Sequence, residues 1–483
     1  MTTIPDWLGQ RARTTPERIA LSYQGTSVTY GDLEQSVAAL AGGFVERAHG
    51  VGTRIALLGA NSLRYAECVH AVSRAGAILV PLNARLTAAE IAFQIDDCQP
   101  TVLLVDPDSA ELARDAVSAA QSSTRLEFLD RLEPGSPLLP RPVDLAAPHS
   151  ILYTSGTTGR PKGAVLTNGN HWWSAVASAL NLGIDQHDRW LATLPLFHVG
   201  GLSILLRSTI YGTTAVIHRG FDPEAVGRAL TTETVTIVSL VTAMLDRLLS
   251  SGPFDYSGLR AVLLGGGPAP RALFERAAAQ SVPVIQTYGL TEAASQVATL
   301  APEDALRKLG SAGKPLMPTD LRIDGDGRAG SIGEIGVRGP TISPGYWHSA
   351  RGVTSVTEDG WFHTGDLGYL DDDGYLYVVD RRDDMFVSGG ENVYPAEVEA
   401  ALVGHHAVAE AVVVGVPDRE WGAIGAAAIV LRPGADPTSE ELARHCRSVL
   451  AGYKVPRVFR FVPDVPRTAS GKPLRRDVRP WFA

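Results

Sequence analysis

Apolar positions along the chain follow two periods, and segments of one alternate with segments of the other. Leu33, Val37, Leu40, Ala41 and Phe44 recur at helical spacing, the stripe by which a helix lays one face on a core. Just before them, Thr29-Tyr30-Gly31-Asp32 sets an acid three residues after a threonine, the pattern of a capping box. Arg54 to Gly59 then reads as a short buried strand, followed by a helix from Asn61 through Tyr65, Cys68 and Val72. A strand is predicted over Ala77 to Pro81, a capped helix after Thr87-Ala88-Ala89-Glu90, and a strand over Val102 to Val105. This alternation predicts an α/β fold with a parallel sheet covered on both faces.

From Ser122 to Pro148 the chain turns Pro- and Ser-rich and reads as a surface connection. Beyond it, His171 to Leu182 is predicted helical and Trp190 to Pro195 extended, with buried strands at Val235 to Ser239, Ala261 to Leu264 and Val284 to Gln286. Between Gly310 and Tyr377 glycine and proline are frequent and strands short, the texture of a small β-barrel. A polar run, Asp380-Arg381-Arg382-Asp383-Asp384, marks a boundary. After it Val412 to Val416, Ala426 to Leu431 and a helix over Ser439 to Leu450 make a small α+β domain.

The 483 residues are enough for two or three domains. A formal charge of -9 without a basic run argues against nucleic acid. Cys68, Cys98 and Cys446, odd in number and far apart, suit a reducing compartment and exclude a cysteine-rich zinc site. Met1 to Arg13 carries charges and no long apolar core, so it does not read as a signal peptide. No run has the length of a membrane span, so the expectation is a cytoplasmic enzyme with no membrane insertion. A homo-oligomer is compatible with the sequence.

Chemistry concentrates in Tyr153-Thr154-Ser155-Gly156-Thr157-Thr158-Gly159-Arg160-Pro161-Lys162-Gly163, between two predicted strands. Glycines let the backbone approach a phosphate, N–H groups and hydroxyls donate to it, and Lys162 adds charge. Lys162 is followed by Gly163, so this is not the common NTPase loop. Gly265-Gly266-Gly267-Pro268 ends a strand without side chains, where a flat ligand can lie on the backbone. In Tyr288-Gly289-Leu290-Thr291-Glu292 an aromatic ring, a hydroxyl and a carboxylate could stack a base, touch a phosphate and hold Mg²⁺. Asp366, in Thr364-Gly365-Asp366, suits the two hydroxyls of a ribose, and Arg381 sits at the domain boundary.

In this order the motifs resemble the adenylate-forming superfamily of acyl-CoA synthetases, non-ribosomal adenylation domains and luciferases, over essentially the whole chain. The resemblance implies a large N-terminal domain (1–382) of two α/β subdomains plus a small β-barrel. It also implies a smaller, mobile C-terminal domain (383–483), hinged at Asp383. The implied reaction activates a carboxylate with ATP and passes the acyl group to the thiol of CoA. Catalytic roles fall on Lys472, His198, Glu292 and Thr291. Nucleotide contacts fall on Thr154, Ser155, Gly156, Thr157, Thr158 and Lys162, on Gly265 to Pro268, and on Tyr288, Thr291, Asp366 and Arg381. Glu292 is the metal ligand. Gly389 and Gly390, within Ser388-Gly389-Gly390-Glu391-Asn392, resemble the loop that lines the CoA channel.

The acid is read from Gly201 to Tyr211, an apolar helix interrupted by Arg207. A buried arginine requires a partner. A protein carboxylate is one candidate, and a substrate carboxylate, held by the guanidinium fork, the other. Stretches such as Trp172 to Val176, Ser178 to Gly183 and Leu263 to Pro270 are similar to a branch of the superfamily acting in menaquinone biosynthesis. That similarity implies an aromatic dicarboxylic acid as substrate, with His198 gating the pocket and Ser295 as a second contact. The alternatives are a fatty or aryl acid–CoA ligase, or a nucleotide-binding module serving a carrier protein.

Overall fold

The computed structural model describes residues 2–154, 161–266, 269, 271–325, 328–381, 385–466 and 475–482. Two sheets carry the N-terminal part. The eight-stranded one runs Gly352–Thr354, Gly345–His348, Lys162–Thr167, Pro148–Thr154, Ile78–Leu82, Arg54–Leu58, Val102–Val105 and Arg125–Phe128. Its neighbours are parallel from Pro148–Thr154 onward and antiparallel before it. The nine-stranded one runs Lys314–Pro315, Ser295–Thr299, Val284–Leu290, Ala261–Gly265, Ile237–Val241, Arg189–Ala192, Thr214–Ile217, Ile19–Tyr23 and Thr26–Thr29. It is parallel in the centre and antiparallel at both ends. The parallel run read from the sequence is therefore present, and hairpin strands extend it.

Strand periodicity separates the layers. Ile55 and Leu57 enter a core shared with the helices Tyr30–Glu46, Leu63–Arg74 and Val199–Tyr211 and with strands of both sheets. Ala56 and Leu58, on the opposite face, pack with Ile91, Ile95 and Ala113. On the far side of the second sheet, Val226, Leu245 and Leu273 cover Val238, Leu240 and Val262. Both capping boxes read from the sequence form, at Thr29 with Asp32 and at Thr87 with Glu90. The stretch read as a plain connection holds an edge strand, Arg125–Phe128, parallel to Val102–Val105. Four residues in a Pro- and Ser-rich setting are too few to carry a legible period.

The β unit is an antiparallel sheet of Asp320–Asp324, Gly333–Arg338, Trp361–Leu370, Thr357–Glu358 and Leu376–Arg381. The C-terminal domain is built on Val408–Asp418 paired with Gly422–Leu431. Helices Pro395–Val403 and Ser439–Val449 bury Val398, Leu402, Leu442 and Cys446 against it. Among the described residues no helix is long and apolar enough to cross a membrane. All three cysteines are free and buried.

The N-terminal core also encloses His70, His149 and His171. The rings of His149 and His171 meet edge to face at 4.6 Å, and neither ring nitrogen of His149 has a hydrogen-bond partner. Burial pushes His70 down to about 4 and His149 to about 3, and holds His171 well below the ordinary value. The unfolded chain, titrating near 6.5, therefore binds more protons than the folded one across this window. Stability is full above about pH 6.5 and falls on acidification by up to about 1.4 kcal/mol per pH unit for each such histidine. Urea unfolding at pH 7 and pH 5 should show a lower midpoint at pH 5, and His149→Leu should shrink the difference.

Candidate active site

A cavity of about 780 Å³ lies where the two sheets, the β unit and the C-terminal domain meet. Leu240, Val241, Gly265 and Gly266 line it from the carboxyl ends of parallel strands, where open α/β sheets place their ligands. The structure brings many predicted residues to this one space. Thr154, Lys162, His198, Arg207, Thr291, Glu292, Ser295, Gly389 and Gly390 all line it. Tyr288 and Asp366 are joined to each other instead, the phenol donating to the Asp366 carboxylate at 2.6 Å. Arg381 stands opposite Asp366 in the strand ladder. The predicted residues Ser155, Gly156, Thr157, Thr158, Gly267, Pro268, Asp383 and Lys472 lie outside the described residues.

Glu292 sits in a short turn, Thr291–Ala293, directly after the strand Val284–Leu290. It is buried, and its Oε1 accepts a hydrogen bond from the Tyr346 hydroxyl at 2.7 Å. Thr154 Oγ1 lies 3.5 Å from the same oxygen. A buried carboxylate on the wall of a large cavity fits a divalent cation. Lys162 places its ammonium over the Tyr346 ring at 5.3 Å, so Tyr346 connects the cationic and anionic walls.

Arg207 is 2% exposed. Its Nη2 donates to Ser174 Oγ at 2.9 Å, and that hydroxyl donates in turn to the Ala294 carbonyl at 2.6 Å. The guanidinium lies 5.8 Å from the Trp190 ring centroid, and its Nε has no partner. Among the described residues no carboxylate pairs with it. Burial pulls its pKa below the usual arginine value, and only the more distant Tyr211 opposes this. Of the two partners open at the sequence level, no protein carboxylate is present among the described residues. Ser295, held at φ 105°, and Gln296, whose Oε1 is unsatisfied, share the same cavity.

His198 opens the helix that carries Arg207. Its Nε2 lies 3.0 Å from Glu391 Oε2, and Glu391 Oε1 is 2.6 Å from Arg85 Nη1. Burial would raise the Glu391 carboxyl, but His198 first, then Arg85, hold it below the ordinary carboxylate value. Glu391 follows the turn Gly389-Gly390, whose φ values of 58° and 84° lie in the left-handed region. A Cβ on Gly389 would meet the Trp421 ring at 2.7 Å. Sequence reading missed Tyr346, Ser174, Gln296 and the ionic role of Glu391. Tyr346, Ser174 and Glu391 work through partners far away in the chain, and Gln296 bonds only to nearby threonines, Thr299 and Thr287, among the described residues, so no local pattern announces any of them.

A family model of AMP-binding enzymes matches residues 8–347, and one of the AMP-binding enzyme C-terminal domain matches residues 397–472. The chain is 46% identical to a 2-succinylbenzoate–CoA ligase of Geobacillus kaustophilus, over 99% of this chain and 98% of that one. Among solved structures it is similar to o-succinylbenzoate–CoA synthetase of Bacillus subtilis, at 41% identity. A double mutant of that enzyme bound to a product analogue superposes with a TM-score of 0.92, covering 99% of each chain. The same enzyme with its acyl-adenylate intermediate gives 0.76, again covering 99% of each chain. Its complex with ATP and magnesium gives 0.75, covering 98% of this chain and 99% of that one.

If the Arg207 charge serves a ligand and not the fold, removing it should cost no stability. Replacing a buried unpaired charge by an apolar group is neutral or stabilising. Thermal unfolding of Arg207→Leu is expected at or above the wild-type midpoint, and a large drop would identify a structural role.

Proposed function

This chain belongs to the AMP-binding enzyme family, among its 2-succinylbenzoate–CoA ligases, and from that premise we propose how its residues share out the reaction. The enzyme uses ATP to convert 2-succinylbenzoate to its acyl-adenylate, releasing pyrophosphate, and then passes the acyl group to CoA, releasing AMP. In the first step a carboxylate oxygen attacks the α-phosphorus. Both reactants are anions, so the step needs charge neutralisation more than covalent help. Mg²⁺, when bound by Glu292, offsets the charge of the triphosphate. Residues 154 to 158 and Lys162 hold the phosphates, with Thr291 beside them. Gly265 to Pro268 and Tyr288 flank the base, and Asp366 with Arg381 binds the ribose. Lys472 supplies the cation at the point of attack.

His198 gates the acyl pocket, Ser295 makes a second contact to the aromatic acid, and Arg207 clamps the carboxylate that does not react. The observation that carries this assignment is the buried guanidinium on the cavity wall, with no carboxylate beside it among the described residues. It also disfavours a fatty or simple aryl acid, which would leave that charge unpaired. In the second step the CoA sulfur attacks the acyl carbonyl carbon, and AMP leaves with the bonding electrons. The pantetheine arm passes the Gly389-Gly390 turn, where side chains are absent. The domains divide at 382/383, with Asp383 as the hinge. Three buried free thiols support a cytoplasmic setting.

Two measurements test these roles. Arg207→Leu should lower kcat/KM for 2-succinylbenzoate by about 100-fold or more, the scale of a buried charge pair losing one partner. Unchanged activity would remove the clamp. Lys472→Ala should suppress pyrophosphate release far more than acyl transfer from a supplied adenylate, and an equal loss in both would contradict its role.

A further inference from the structure

The C-terminal domain meets the N-terminal domain through a buried ionic seam that the chemistry above does not use. Lys454 ends the short turn Gly452–Lys454 and is 3% exposed. Its Nζ lies 2.7 Å from Glu90 Oε1, on the N-terminal helix Ala88–Cys98, and 2.8 Å from Glu397 Oε1, in its own domain. All three side chains are at least nine-tenths buried. Burial works against the ammonium, but the Glu397 and Glu90 carboxylates outweigh it and hold Lys454 above the ordinary lysine value.

Glu90 is fixed before the lysine arrives. Its Oε2 accepts hydrogen bonds from the Thr87 backbone N–H at 2.8 Å and from Thr87 Oγ1 at 2.9 Å, which closes the capping box. One oxygen therefore belongs to the helix cap and the other to the interdomain pair. Next to them, Ala451 enters the apolar core that includes Ile91 and Ile95, so the turn is seated as well as charged. A seam of this kind is selective. In place, one ammonium serves two carboxylates. Shifted, Lys454 keeps Glu397, which travels with it, while Glu90 loses the ammonium, and a buried carboxylate tolerates such a loss poorly.

The seam belongs to one domain arrangement. The two Bacillus subtilis complexes have the same identity to this chain and the same coverage, yet they superpose with TM-scores of 0.92 and 0.76. The higher value is that of the product-analogue complex. We propose that Lys454 and Glu90 form a latch that holds the C-terminal domain in the thioester-forming arrangement, as positioning residues for the second half-reaction alone. This rests on the ligase function proposed above.

The test uses the full-length enzyme with Glu90→Gln, Lys454→Met, Lys454→Arg and the double variant Glu90→Gln/Lys454→Met. Glutamine at position 90 keeps the helix cap, since it also serves in a capping box. Pyrophosphate release in a single turnover without CoA reads the first step, and transfer from supplied 2-succinylbenzoyl-adenylate to CoA reads the second. Either charge-removing variant is expected to slow transfer by about tenfold or more while pyrophosphate release stays within about twofold. The double variant should be no slower than the slower single one, and Lys454→Arg should recover part of the rate. Equal losses in both steps, no loss in transfer, or additive losses would overturn the latch. Small-angle scattering of the ligand-free proteins reads the arrangement without any substrate. The wild type should fit the arrangement described here and the charge-removing variants should depart from it, whereas identical profiles would overturn the latch even if the acid were a different one.

Discussion

A guanidinium buried without a carboxylate is the constraint on which the acyl end of the cavity depends. Removing such a charge from water is expensive unless it is paired, and among the described residues the protein supplies only a serine hydroxyl and an aromatic face. The supporting residues are themselves committed. Ser174 hands its own proton to the Ala294 carbonyl, and Trp190 donates its indole N–H to Ser239 at 3.1 Å. The helix Val199–Tyr211 carrying Arg207 is packed in the central core, so the charge cannot swing to solvent. What remains open to it is the cavity.

The same helix sets the spacing of two residues on the cavity wall. His198 caps its start, and Arg207 lies nine residues on, roughly 13 Å along the axis at the usual rise. In the roles proposed above, a rigid element with Arg207 toward one end and His198 at the other would select acids by length and by a second carboxylate. At its open end the C-terminal domain closes over it, with Glu391 taking His198 and Arg85 together. One helix thus carries both the buried guanidinium and the histidine that meets the C-terminal domain.

Much of this fold is legible in sequence because its signals are local. Both capping boxes, the strands Arg54–Leu58 and Val102–Val105, and the apolar helix with its single arginine follow from spacing over a few residues. Failures came where context decides. Arg125–Phe128 is a strand because Val102–Val105 offers it a free edge. The hairpin strands that make both sheets mixed depend on partners elsewhere, as when Gly345–His348 joins Lys162–Thr167. At the site, residue types were readable and pairings were not. Nothing near Lys454 points to Glu90, 364 positions away. Nor could sequence say whether Arg207 meets a protein carboxylate, since that is a statement about every element packed around it.

Calorimetric binding of an unreactive acyl-adenylate analogue, with and without its second carboxylate, to the wild type and to Arg207→Leu tests the pairing of Arg207 with substrate most directly. Strong coupling is expected. Deleting the carboxylate should weaken binding to the wild type by about 3 kcal/mol, the scale of a desolvated charge pair, and leave binding to Arg207→Leu nearly unchanged. Equal losses in both proteins would mean that the charge on the cavity wall and the charge on the acid do not meet.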